Sequence, residues 1–164
     1  MIVRNPAELK PLLKPGQSLL GLDLGSKTIG LARADRSLMF AAPLETIRRS
    51  KFTKDAEDLI AIIEREEIGG LVLGLPFNMD GTEGPRCQST RQFATNLLAK
   101  IDIPIAYWDE RLSTQAVTRT LLENDTTRKR RAEVIDKMAA AYILQGALDA
   151  IAHAAAHDTA QSSY

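Results

Sequence analysis

The chain has little with which to cross-link itself or to hold a soft metal. Its single cysteine, Cys87, excludes an internal disulfide and a thiolate metal site, and fits a reducing compartment. Only two histidines occur, His153 and His157. Their spacing suits a ligand pair, yet they stand in an Ala-rich end with no carboxylate base between them, which argues against a metal site there. Neither charge is in excess: Lys+Arg and Asp+Glu are both 21, so bulk charge names no partner, and a nucleic-acid partner needs a local basic patch. No apolar run approaches the roughly 20 residues of a membrane span. The opening residues carry Pro6, Glu8, Pro11 and Pro15 in place of an apolar signal core. A cytoplasmic location is the expectation. No internal repeat is visible.

What is present is enough for one domain with a real core: 164 residues, 45% of them hydrophobic. The division expected is a short extension at 1–18, a folded domain at 19–152 and a frayed tail at 153–164. The stretch 19–34 organises the rest. Residues 19–24 form a near-continuous apolar run that suits a central strand covered on both faces. Asp23 interrupts it. A lone buried carboxylate costs several kcal/mol even after relaxation, and the strand holds no Lys or Arg to meet it. A bound metal or a phosphate–metal complex would answer that cost; a hydrogen bond to a neighbouring turn is the plainer answer. Gly21, Gly25 and Gly30 leave room for a close approach. Gly25-Ser26-Lys27 reads as a tight turn into a second strand at 28–34, together a phosphate-handling hairpin.

Asp35-Arg36-Ser37 reads as a turn into a third strand at 38–47, at the sheet edge because of Pro43. Before it, residues 6–13 form one or two helical turns. Arg48, Arg49, Lys51 and Lys54 are either a solvated approach to a helix or a phosphate-contacting patch. Thr53 caps a helix to about Glu67, with Ala56, Leu59, Ile60 and Ile63 on its apolar face, and Gly69-Gly70 ends it. Residues 71–73 read as a buried parallel strand. The loop beyond it holds Phe77, Asn78 and Met79 where open α/β sheets bind ligands, or else it tucks onto the core. Pro85 opens a helix to about Lys100 that buries Phe93, Ala94, Leu97 and Leu98, with Arg86 and Arg91 on one cleft. A fifth strand at 104–108 ends on Asp109-Glu110-Arg111, where the acids either serve a site or pair with Arg111. Ser113 caps a short helix, with Leu112 and Val117 as its staple. Arg128, Lys129, Arg130 and Arg131 form a basic loop, solvated or gripping an anion. The last helix buries Ile135, Met138, Ala139 and Tyr142, with Asp136 at the edge of that stripe and small Ala139 and Ala140 allowing close approach to the sheet.

The element order β-β-β-α-β-α-β-α-α, with one acid mid-strand, one after the fifth strand and one in the last helix, resembles the α/β ribonuclease H-like fold. That fold has a mixed five-stranded sheet, three antiparallel then two parallel strands, flanked by helices. More closely, the chain resembles the YqgF (RuvX-like) family of Holliday-junction resolvases and pre-ribosomal-RNA nucleases. The motifs are Gly-Leu-Asp-Leu-Gly-Ser-Lys-Thr-Ile-Gly at 21–30, Gly-Leu-Pro-Phe-Asn-Met-Asp-Gly at 74–81, Asp-Glu-Arg-Leu-Ser-Thr at 109–114 and Val-Ile-Asp-Lys-Met-Ala-Ala-Ala-Tyr-Ile-Leu-Gln at 134–145. The resemblance implies Asp23, Glu110 and Asp136 as catalytic acids and ligands of two Mg²⁺ or Mn²⁺ ions, with Glu133 or Asp109 as candidates for a fourth acid. The phosphate-handling hairpin, the loop beyond the parallel strand, the cleft arginine and the basic run give the nucleic-acid contacts expected: Ser26, Lys27, Phe77, Asn78, Arg86, Arg128, Lys129, Arg130 and Arg131. Thr28 departs from the pattern, standing where many relatives carry a basic residue. Precursor ribosomal RNA or branched DNA is the partner expected, with ribosome association. Two other readings stay open. Asp-Leu-Gly-Ser-Lys is also similar to the phosphate hairpin of sugar kinases and actin-like ATPases, which need a second lobe. A ribosome- or nucleic-acid-binding module without catalysis is the other.

Overall fold

The computed structural model describes residues 1–112 and 128–162, without the side chains at 128–133 and 159–162. The readings at Ser113 and Val117, and the side chains of Arg128, Lys129, Arg130, Arg131 and Glu133, lie outside the described residues. The apolar run at 19–24 becomes β1 (Ser18–Leu24), the middle strand of five. It pairs antiparallel with β2 (Thr28–Ala34) and parallel with β4 (Ile68–Leu75). β3 (Ala41–Arg48) pairs antiparallel with β2 at one edge, and β5 (Ile105–Asp109) pairs parallel with β4 at the other. β3 is the edge strand that Pro43 requires. β4 is buried along its whole length, as a parallel strand covered on both faces must be.

The two faces differ in bulk. Leu20, Leu22, Ile29, Leu31, Leu71, Leu73 and Ile105 point to one face and pack against α1 (Phe52–Arg65) and α2 (Pro85–Leu98). The alternate positions, Leu19, Ala32, Ala34, Val72 and Ala106, face α3 (Arg128–Ser162). By the same alternation Gly21, Asp23, Thr28, Gly30 and Gly74 lie on the α3 face. The small residues let α3 come close: a Cβ at Gly21 would stand 2.7 Å from Leu144 Cβ, and one at Gly30 would stand 2.0 Å from the Asp136 carbonyl oxygen. The 1–18 extension packs rather than frays. Leu9 is fully buried against α3, and the Val3 amide donates to the Ile105 carbonyl at 2.9 Å.

Several local expectations are corrected. α1 begins at Phe52, so Thr53 lies inside it, and no side chain caps Lys51. Instead buried Asp55 folds back to accept from the Ser50 amide at 3.0 Å. Glu67, at φ 53°, turns the chain after α1 and leaves Gly69 and Gly70 to begin β4. Strand β3 starts at Ala41 rather than Leu38, because Asp35 Oδ1 accepts from the amides of Met39 and Phe40 and withholds them from the ladder. Leu98 is only partly buried. Residues 128–131 are the first turn of α3, not a loop before it. The buried stripe of α3 is Ala140, Ile143, Leu144, Ala147, Leu148 and Ile151, while Ile135, Met138, Ala139 and Tyr142 are half-exposed. Asp136 is one turn before Ala140 and so continues the buried stripe. The helix runs on past Ala152 to Ser162, with His153 and His157 exposed.

Candidate active site

Asp23 is the sixth residue of β1, just before the strand leaves the sheet. Glu110 follows β5 directly, in a short 3-10 turn at Glu110–Leu112. β1 and β5 flank β4 on the same parallel edge of the sheet, so their carboxyl ends lie side by side. Gly74 of β4 leaves the gap between them: a Cβ there would stand 2.6 Å from Glu110 Oε1. The two side chains meet in a hydrogen bond, with Glu110 donating to Asp23. Burial first, then the Asp23 charge and that bond, push the Glu110 carboxyl up to about 8. Asp23 is also raised, by burial first and then by the charge of Asp136, against the Glu110 hydrogen bond and the Arg86 charge.

Asp136 comes from the other layer. Close contact between α3 and β2 sets it beside the start of β2, where Thr28 Oγ1 donates to its Oδ2. The Thr28 hydroxyl thus holds the helix acid. Among the described residues, no three side chains of His, Cys, Asp or Glu already form a metal-holding group. Asp23 and Glu110 close on each other through a proton, and Asp136 closes on Thr28. The donor chemistry nevertheless fits a hard divalent ion: oxygen ligands only, with the Asp23 charge raising the Glu110 pKa and the Asp136 charge raising that of Asp23.

A cleft of about 930 Å³ opens beside these acids. Its walls include Ser26 and Lys27 of the β1–β2 turn, Thr28 at the start of β2, Arg48 at the end of β3 and Arg49 after it, Arg86, Ser89 and Thr90 of α2, and Asp136. Arg49 Nη1 donates to the Gly25 carbonyl at 2.7 Å, which pins the turn in place. Arg86 reaches both Asp23 and Glu110 electrostatically. The cleft therefore brings Lys27, Arg48, Arg49 and Arg86 together with one of the three acids, Asp136.

Residues 17–150 match the family model of RuvX, Holliday junction resolvase. The chain belongs to the RuvX family. It is 68% identical over 91% of its length, and 96% of the relative's, to a protein of Paramagnetospirillum magneticum named "Putative pre-16S rRNA nuclease". It is 62% identical over 91% of its length, and 97% of the relative's, to a protein of the same name in Ruegeria pomeroyi. Among solved structures it is similar to RuvC of Thermus thermophilus in complex with a Holliday junction substrate, with a TM-score of 0.52 and 14% identity over 82% of this chain and 94% of that one. That likeness shows the ribonuclease H-like fold.

Within the RuvX frame the other candidates divide. Ser26, Lys27 and Arg86 line the cleft. Arg91 does not: it pairs with Glu83 at 2.6 Å and lies 4.8 Å over the Tyr107 ring. Asp109 pairs with Arg111 at 2.7 Å and is no free fourth acid. Lys54 pairs with Asp58 at 3.0 Å, the solvated reading of that cluster, whereas Arg48 and Arg49 line the cleft. Asn78 is tied into its own loop, its Nδ2 donating to Thr82 Oγ1 at 3.0 Å, and Phe77 beside it is half-buried. Thr28, Ser89 and Thr90 of the cleft had gone unread as contacts. Thr28 was within reach: with Gly30, Ala32 and Ala34 it completes a stripe of small residues on one face of β2.

Proposed function

We propose that this protein is a metal-dependent endonuclease that cleaves phosphodiester bonds of precursor 16S rRNA at its 5' side during ribosome biogenesis. One observation carries the reading. Two half-buried carboxyls, Asp23 and Glu110, face each other where the parallel strands end, and the third acid, Asp136, lines a cleft that also holds Lys27, Arg48, Arg49 and Arg86. The names of the relatives at 68% and 62% identity support the RNA substrate.

Asp23, Glu110 and Asp136 would hold Mg²⁺ or Mn²⁺. When bound, the ions supply charge neutralisation on the phosphate and a water of lowered pKa. The rest falls to the chain. Asp23, on the least deformable strand, fixes the position of the site. Glu110 would serve as a ligand in its carboxylate form. Asp136 is oriented by Thr28. Lys27 and Arg86 would grip phosphates on either side of the cut, and the 128–131 run would extend that grip along the strand. A bound phosphodiester draws Arg86 away from the acids, since it offers the guanidinium a better anionic partner.

The test is a competition assay with Mg²⁺ or Mn²⁺. A precursor 16S RNA fragment and a four-way DNA junction are offered together. Preferential cutting of the RNA supports the proposal, and preferential cutting of the junction overturns its choice of substrate.

A further inference from the structure

Two motifs remain unexplained by the acids alone: the loop at 76–84 and the residues after β5. They meet at Arg111. Its Nε donates to both carboxylate oxygens of Asp109 at 3.1 Å, and its Nη2 donates to Oδ2 at 2.7 Å. The Arg111 amide donates to Asp109 Oδ1 at 2.9 Å, closing a turn whose enclosed residue is Glu110. The same guanidinium lies 5.4 Å over the ring of Phe77. Its Nη1 would be 3.6 Å from a Cβ at Gly81, so it also borders the far side of the loop.

The loop is a folded unit in its own right. The Asn78 amide donates to the Thr82 carbonyl and the Gly81 amide to the Asn78 carbonyl, both at 2.9 Å. Asp80 Oδ1 accepts from the Thr82 amide at 3.0 Å. Those bonds hold the loop to itself and not to the sheet. An ordinary surface ion pair is worth little. A planar guanidinium bound at two oxygens and lying over a ring in cation–π range is different, because one rigid group engages two partners at once.

We propose that Arg111 is a positioning residue that clamps the loop at 76–84, which follows β4, to the end of β5 and so fixes Glu110 in the site. The clamp stands on geometry alone; its effect on cleavage rests on the nuclease reading. Arg111→Ala in the full chain should speed chymotryptic cutting after Phe77 by about tenfold, because the loop opens locally. It should lower kcat by about tenfold or more with KM within about twofold, as a small displacement of a reacting group does. Arg111→Lys should recover little of either, since an ammonium cannot bind two oxygens and stack together. Asp109→Asn, which leaves the guanidinium in place without its anchoring charge, should show both changes more mildly. Unchanged proteolysis in Arg111→Ala and Asp109→Asn overturns the clamp. Faster proteolysis with a loss confined to KM overturns the positioning role and makes Arg111 a nucleic-acid contact. Full rescue by Lys overturns the clamp in favour of charge alone. If the wild-type protein cuts no nucleic acid, the nuclease reading fails by itself, and the proteolysis still supports or overturns the clamp.

Discussion

Gly30 of β2 lies against the backbone of Asp136 in α3: a Cβ at Gly30 would stand 2.0 Å from the Asp136 carbonyl oxygen and 2.4 Å from its carbon. The acid's place in the site is therefore set by a missing side chain on the strand. Gly30→Ala must push α3 outward at that turn. Overpacking of this kind costs about 1–3 kcal/mol, read as a lower urea midpoint. Cleavage should fall further than the lost stability explains, by about a hundredfold for a shift near 1 Å. A variant with wild-type midpoint and rate would contradict the close approach.

The proton shared by Asp23 and Glu110 gives the metal-free protein a characteristic pH dependence. Glu110 has an ordinary value of 4.5 and is raised to about 8 in the fold, so the folded state holds the proton more tightly. The associated stability is fully present below about 4.5, declines as pH rises and is gone above about 8. Acids lowered by their partners, such as Asp109, titrate below this window. Thermal unfolding in a chelator should show the melting temperature falling between pH 5 and 8.5. Saturating Mg²⁺ should flatten that fall, with proton release on binding. A chelated protein equally stable across the range would speak against the shared proton.

Asp23→Asn removes one charge at nearly constant volume. It should leave the fold intact and lower the Glu110 pKa, because the second cause of its elevation is gone. The chelated variant should melt at or above the wild-type temperature at pH 8. Its pH slope should be shallower. A lower melting temperature at pH 8 would show that Asp23 stabilises the fold as a plain buried acid.

Lys27 of the β1–β2 turn and Arg86 of α2 both line the cleft. If both meet phosphates, changing both to Ala removes about two counterion-releasing contacts. The slope of log K against log salt for a single-stranded RNA should then fall by roughly 1.4, at about 0.7 per contact. An unchanged slope in a filter-binding series would place the nucleic-acid backbone elsewhere.

Asp23 was legible because a carboxylate inside the most apolar run has an obvious energetic cost. The three antiparallel strands were legible from turn signals and from Pro43 at an edge, whereas the placing of β4 and β5 in the same sheet came from the family resemblance. The phase of α3 was not legible. Ala139, Ala140 and Ala141 offer almost no amphipathic contrast, and Ala140 is buried only because Gly21 and Gly30 let the helix approach. Arg91 was misjudged for a simpler reason: five residues after Arg86, it lies well round the helix and cannot share its face. The start of α1 was missed because Asp55, already inside the helix, supplies the acceptor expected from Thr53. Asp109 and Glu110 could not be told apart in sequence; the Arg111 fork separates them by engaging only the first.

The central claim is that Asp23, Glu110 and Asp136 act as one metal-dependent catalytic unit. The most direct measurement is the single-turnover cleavage rate of a precursor 16S RNA fragment across an Mg²⁺ and Mn²⁺ titration. It is run for the wild type, for Asp23→Asn, Glu110→Gln and Asp136→Asn, and for their pairs. The account predicts no cutting in chelator, a loss of most activity in each single variant and little further loss in the pairs, because the groups work together. Cutting that persists in chelator, or losses that simply multiply across the pairs, would contradict it.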